Sequence, residues 1–388
     1  MAHLFIAVQR VLGHVVPALA IGQQLMKKGH EVTLATHPAN KELVVRAGLD
    51  FLPAEWGKFP EKFIYEQALE MDALLAGREV DWMICDSSQA APAYAAERRG
   101  IPWISLQTTV PYPEEALPGS RTVFNRLRQS YARELNGVRM RLGLPPLTND
   151  RRTRGDLAGL SPRLHLVNVH AALYPEEGGI PEQSVFTGSC TLESGDRDRV
   201  NEASWLEPEA YPGRPVVLVC ASSTERHDSR EVMNRYIGAA VSLSEENSFN
   251  LIVAEHKPYE GKRPLPPHVR WITAYPNHDL LLPRADAVIT HGGCGTVQSV
   301  MRYGVPMVVI PLASDQHLLA RTCERLGIAL TVGPEEAGRG RIGQALDRLL
   351  AEGNPYTPRA KELATIVGRD NPNEAAVRAI EQVLQNNS

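Results

Sequence analysis

The chain has 388 residues, 43% apolar and 22% charged, with a formal net charge of -4. That length exceeds what one hydrophobic core usually serves, so two domains are expected, and the mild acidity excludes a general nucleic-acid binder. No stretch approaches the roughly 18 apolar residues of a membrane span, and "MAHLFIAVQR" has neither the basic leader nor the apolar core of a signal peptide, so a soluble, cytoplasmic protein is expected.

In chain order, "HLFIAV" (3–8) reads as a strand and "VVPALAIGQQLMKKG" (15–29) as a helix stopped by Gly29. Further strand-like runs are "EVTLAT" (31–36), "DWMICD" (81–86), "PWISLQ" (102–107), "RLHLVNV" (163–169), "PVVLVCA" (215–221), "NLIVAEH" (250–256), "DAVITH" (286–291) and "PMVVIP" (306–311). Continuous apolar strands alternating with helical stretches predict parallel sheets covered on both faces, an α/β fold. The charged, Pro- and Gly-bearing stretch around 190–214 marks a seam. Domains are therefore expected at 1–200 and 201–370, with a terminal helix over 371–388 packing back on the first. The five cysteines are scattered without a CxxC pair, which predicts neither disulfides nor a zinc site.

Ligands of open α/β sheets bind where strands end. His14 follows the first strand, Asp86 ends "DWMIC", Ser222-Ser223-Thr224 follow "VVLVCA", His291 ends "DAVIT", and Asp315-Gln316 follow "MVVIP". Asp81 and His3 begin strands and belong to the opposite rim. In "HGGCGT", Gly292, Gly293, Cys294 and Gly295 offer bare backbone N–H groups, and a helix starting near Thr296 would present a partial positive charge suited to phosphate. A ligand-free turn explains the glycines alone equally well. The pattern is neither the dehydrogenase GxGxxG, which follows the first strand, nor a Walker loop, since GxxxxGK[ST] is absent.

"ITHGGCGTVQSVMRYGVPMVVIPLASDQ" (289–316), "GHVVPALAIGQQLMKKGHEVTLAT" (13–36), "DWMICD" and "ERRGIPWISL" together resemble the family 1 glycosyltransferases, most of all those that decorate bacterial natural products such as antibiotics. The resemblance implies the GT-B fold: two Rossmann-like, doubly wound domains with an interdomain cleft, the acceptor held by the first and a nucleotide-sugar by the second. It implies that His291 and the Gly292–Thr296 backbone grip the diphosphate, that Asp315 and Gln316 bind sugar hydroxyls, and that His14 is a general base oriented by Asp86. It further implies inverting transfer without metal or other cofactor, because helix donors carry the leaving diphosphate.

The sequence departs from the family at several positions. The exit "CASSTE" lacks the usual Gly-Ser, which leaves the role of Ser222, Ser223 and Thr224 open. Ser299 stands where many UDP-sugar enzymes carry a ribose-binding Glu, which leans modestly toward a dTDP-sugar and leaves a UDP-sugar as the other candidate donor. Tyr275, with Pro276 directly after it, occupies the place of the aromatic that stacks on the base. Leu319 replaces an Asn.

Trp56, Phe59, Phe63 and Tyr65 suit an apolar acceptor pocket, but core packing explains them somewhat better. The run Val123 to Leu142, with Arg126, Arg128, Arg133 and Arg139 and then Arg151, Arg152 and Arg154, fits a packed amphipathic helix with a solvated basic face better than a membrane-surface helix. Alternative readings on the same fold are a nucleotide-sugar epimerase or hydrolase, and a non-catalytic nucleotide-sugar-binding protein.

Overall fold

The computed structural model describes residues 1–55, 64–111, 132–148, 152, 157–174, 179–192, 212–221, 227–247, 249–255, 257–261, 264–273, 278–312 and 315–386. The chain divides into two compact units, Met1–Glu193 with Asp370–Ser388, and Ser194–Arg369.

The first unit is built on a seven-stranded sheet of order β3-β2-β1-β4-β5-β6-β7. Its strands are β1 (His3–Ala7), β2 (Glu31–Thr36), β3 (Asp50–Pro53), β4 (Trp82–Asp86), β5 (Trp103–Gln107), β6 (His165–Val167) and β7 (Ser184–Phe186), every pair parallel. Side chains alternate across a strand, so the apolar run Leu4–Ala7 of β1 feeds two cores. Leu4 and Ile6 pack with Leu19, Ile84 and Ile380 on one face. Phe5 and Ala7 pack with Met71, Met83 and Ala93 on the other. The C-terminal helix Pro372–Gln385 lies against the helix Leu12–Lys27 within this unit.

The second unit carries a six-stranded sheet of order β10-β9-β8-β11-β12-β13. Here β8 is Val216–Cys220, β9 Asn250–Ala254, β10 Val269–Ile272, β11 Ala287–Thr290, β12 Met307–Val309 and β13 Ala329–Thr331, again all parallel. These are two doubly wound parallel sheets, the α/β class expected. In each sheet the chain winds outward, then returns to the other side of its first strand. The reversal falls between β1 and β4 in one and between β8 and β11 in the other. Crevices form outside the carboxyl ends of strands at such points.

All five cysteines are unpaired and buried. No helix among the described residues is long and apolar enough to cross a membrane.

The solvated basic face expected near Arg139 is corrected. Leu135, Val138 and Leu142 are buried on the domain, but so is Arg139, whose side chain is only 2% exposed. Its guanidinium donates twice to Glu97, at 2.9 and 2.6 Å, and once to the Pro145 carbonyl at 2.7 Å, and it covers the Tyr94 ring. Arg152 adds longer contacts to Glu97 at 3.3 and 3.4 Å. Arginine is suited to such a place because its planar fork satisfies a carboxylate bidentately. Burial raises the Glu97 carboxyl, and the two arginines more than reverse this, holding it below the ordinary range. Truncating Arg139 leaves a half-buried carboxylate with only the weaker Arg152 contact. Arg139→Ala should therefore destabilise the fold by about 3 kcal/mol, read as a lower denaturant midpoint at unchanged slope. An unchanged midpoint would show that the pair contributes nothing. Arg126, Arg128, Arg151 and Arg154, like Trp56, Phe59 and Phe63, lie outside the described residues. Tyr65 is half-buried, with Arg141 over its ring at 3.6 Å.

Candidate functional site

The exit of β1 is pinned before it carries any chemistry. Buried Thr36 donates to the Gln9 carbonyl at 3.3 Å, and Asn40 donates to that of Arg10 at 3.0 Å. The helix Leu12–Lys27 begins directly after, placing His14 in its first turn. Pro17 has no N–H to return to Gly13, so that first turn keeps an open carbonyl.

His14 Nδ1 lies 2.7 Å from Asp86 Oδ2, across the β1–β4 reversal. The Asp86 side chain is 1% exposed and that of His14 14%. The other carboxylate oxygen of Asp86 accepts from the Ser88 N–H at 3.0 Å and the Ser88 hydroxyl at 2.7 Å. Thr108, just past β5, places its hydroxyl 3.0 Å from His14 Nδ1. Burial pushes the Asp86 carboxyl up, but the electrostatic attraction and hydrogen bond of the adjacent His14 ring and the two bonds from Ser88 overcome it and hold the group below its usual range. Asp86 is therefore an anion that keeps the proton of His14 on Nδ1 and leaves Nε2 as the basic nitrogen. His3 and Asp81 bond each other's neighbourhood at the opposite rim, the His3 N–H donating to Asp81 at 2.8 Å.

In the second unit, β11 ends at Thr290 and His291 follows, buried. Gly292 adopts φ +82, and a Cβ there would stand 2.8 Å from Val309 Cγ1, so both backbone and space demand glycine. Gly293 caps the helix Cys294–Tyr303, and no side chain caps its first N–H groups. A Cβ on Gly293 would lie 2.6 Å from His291 Nε2, while one on Gly295 would meet nothing within 4 Å. The bare face at Gly295 is thus not required by packing among the described residues. Free N–H donors at a helix start are an anion site in waiting.

His291 faces this turn as a neutral ring. Burial pushes its pKa down to about 4, opposed by the Cys220 backbone, and its Nδ1 makes no hydrogen bond to a described residue. An unsatisfied buried nitrogen beside uncapped N–H groups is what a bound oxyanion would relieve. Cys294 contributes backbone rather than thiol. Its sulfur accepts from Gln298 at 3.4 Å, and burial, followed by the charge of Asp315, pushes the thiol well above its ordinary value. Asp315, buried, precedes the helix Gln316–Arg325. Gln316 lies beside Gly292, and its Oε1 accepts from the Leu312 N–H at 2.8 Å. Asp315 and Gln316 are thereby gathered at the start of the glycine turn. Ser299 donates to the Gly295 carbonyl at 3.1 Å, one turn into the helix.

Ser222, Ser223, Thr224 and Tyr275 lie outside the described residues. Gln9, Ser88 and Thr108 were missed in the sequence, although each sits one to two residues beyond a strand end, where the strand-exit rule applies to them as it does to His14.

Two histidines held neutral by desolvation also set an acid limit. His278, 3.9 Å from the Cys220 thiol, is pushed down to about 4 by burial, as is His291. Both take up protons more readily when unfolded, so stability is complete above the ordinary histidine pKa of about 6.5 and falls with pH toward 4. The melting temperature of the second unit should drop steadily between pH 7 and 4.5. A flat profile across that window would contradict the neutral state of these rings.

The chain matches two family descriptions, "Glycosyltransferase family 28 N-terminal domain" over residues 12–105 and "Erythromycin biosynthesis protein CIII-like, C-terminal domain" over residues 237–382. Together they span more than half of it. It is 26% identical to the 4'-demethylrebeccamycin synthase of Lentzea aerocolonigenes over 390 aligned residues, covering 88% of this chain and 90% of that protein. Among solved structures it is similar to the glycotransferase of kitacinnamycin, with TM-score 0.78, 23% identity and coverage of 98% and 99% of the two chains. It is also similar to the glycosyltransferase VinC in complex with dTDP, with TM-score 0.71, 20% identity and coverage of 99% and 100%. Two parallel doubly wound sheets, a His–Asp pair at one reversal and a glycine-lined helix start at the other thus coincide with matches along both halves of the chain: it belongs to the GT-B glycosyltransferases of the family 1 type.

Proposed function

We propose that the protein transfers a sugar, with inversion, from a nucleoside diphosphate sugar to a hydroxyl of a small, largely apolar natural product. The observation that carries this reading is the 2.7 Å contact between His14 and a buried, anionic Asp86 at the exit of β1. In the reaction the acceptor oxygen gives its proton to His14 Nε2 as it bonds to the anomeric carbon. The bond from that carbon to the diphosphate oxygen breaks, and its electron pair leaves with the diphosphate. Asp86 stabilises the imidazolium that forms.

The uncapped N–H groups at Cys294–Thr296 and the buried His291 nitrogen supply donors for the leaving diphosphate. Asp315 and Gln316 supply a carboxylate and an amide for sugar hydroxyls. These donors support transfer without a metal. The synthase relative and the dTDP-bound neighbour support a natural-product acceptor and a thymidine donor. Ser299, with no carboxylate for a ribose 2′-hydroxyl, points the same way.

Calorimetric titration of dTDP and UDP in the presence of a chelator tests the donor half. Binding of dTDP in preference to UDP is the expected result. Binding that appears only when a divalent metal is restored would overturn metal independence, and no binding at all would overturn the phosphate reading of "HGGCGT".

A further inference from the structure

Gln9 joins His14, Asp86 and Ser88 in a closed ring of polar contacts. His14 Nδ1 meets Asp86 Oδ2 at 2.7 Å, and Asp86 Oδ1 accepts from the Ser88 hydroxyl at 2.7 Å. Having donated its proton, Ser88 Oγ accepts from Gln9 Nε2 at 3.2 Å. Gln9 Nε2 closes the ring on the imidazole, 3.3 Å from Nδ1 and 3.2 Å from Nε2. Two distances so nearly equal cannot belong to a nitrogen in line with either lone pair. They place the amide over the ring face.

We propose that Gln9 is a positioning residue that holds the His14 ring against Asp86 and keeps it in its neutral, proton-accepting form. The inference rests on the reading of His14 as the base. The physical reason is the sign of the amide dipole. An N–H directed at a neutral imidazole is attracted to its electron-rich face, whereas the same N–H directed at an imidazolium is repelled. Ser88 fixes the sign. Its oxygen lies within reach of the Gln9 nitrogen and accepts there, so the amide presents N–H rather than C=O to the ring. When His14 takes the acceptor proton, the amide must rotate to offer Oε1, which couples ring protonation to breakage of the Gln9–Ser88 bond.

Of the charged groups facing His14, Asp86 is in direct contact and favours the imidazolium. Cys85, beside Asp86 on β4, is held protonated by burial and by the Asp86 charge. Gln9 therefore opposes Asp86: the carboxylate orients the ring, and the amide prevents it from being charged prematurely.

The test is a pH titration of the His14 ring nitrogens by NMR, on the full chain without acceptor. The wild-type ring should titrate as the Nδ1–H tautomer. Gln9→Met removes the N–H dipole and Ser88→Ala releases its tether, so both should move the titration to higher pH. Gln9→Glu, nearly isosteric, replaces the dipole by a like-shaped charge and should move it further in the same direction. Thermal melts confirm that each variant is folded. Identical titrations in wild type and Gln9→Met, or a downward movement in Gln9→Glu, would overturn the proposal. Because no transfer is measured, this outcome is separate from whether His14 is the base, which the alanine variant below decides.

Discussion

His14→Ala is expected to lower sugar transfer by roughly 10²–10⁴-fold while nucleoside diphosphate binding stays within about twofold of wild type. The reasoning is spatial. His14 belongs to the first unit, at the exit of β1, whereas the glycine turn and His291 belong to the second. On the proposed mechanism, loss of the imidazole removes the acceptor of the hydroxyl proton and strands the Asp86 carboxylate, and it leaves the residues of the glycine turn and His291 unaltered. Asp86→Asn should fall in the same direction. The amide no longer stabilises an imidazolium, and it permits the tautomer in which Nε2 carries the proton and cannot accept another. Single-turnover transfer measured beside dTDP calorimetry separates the two functions. Full turnover in His14→Ala would remove it as the base, and parallel loss of binding would mean that the side chain serves the fold instead.

The second large effect is expected from one methyl group. Gly293 has φ -60 and ψ 134, a conformation open to any L-residue, so Gly293→Ala introduces no backbone strain. Its Cβ would nevertheless stand 2.6 Å from His291 Nε2 in a buried site, and the ring must move. Losing one well-placed donor to an anion is worth about 1.5–3 kcal/mol, so dTDP affinity should fall roughly 10- to 100-fold. The melting temperature should change little. Gly292→Ala provides the contrast. At φ +82, and 2.8 Å from Val309 Cγ1, it should destabilise the second unit by about 1–2 kcal/mol in addition to any effect on binding. Wild-type dTDP affinity in Gly293→Ala would mean that His291 takes no part in holding the diphosphate.

Much of this architecture was legible from residue order alone. The interior strands β1, β2, β4, β5, β6, β8, β9, β11 and β12 all announce themselves as short apolar runs, because a central parallel strand is buried on both faces. The strands that do not are β3, β7, β10 and β13, which are the outer strands of the two sheets. An edge strand has one neighbour and partial cover. β3 accordingly carries Asp50 and Pro53, β7 is only half-buried, and β10 interrupts its apolar residues with Arg270. Their identity is supplied by the strand beside them rather than by their own sequence.

The same division runs through the site. Sequence by itself determined the α/β class, the strand exits that carry His14, Asp86, His291, Asp315 and Gln316, and the glycines of the turn after β11, since apolar periodicity and local backbone freedom are properties of neighbouring residues. The pairing of His14 with Asp86, which the family resemblance implied, is made by the tertiary structure. The reversal of winding between β1 and β4 brings together residues 14 and 86, and it adds Gln9, Ser88 and Thr108 around them. It also decided that Arg139 is buried rather than solvated, because the charge that compensates it, Glu97, lies on another helix, 42 positions away. Pairing between distant positions depends on how the sheet is wound, and no local pattern encodes it.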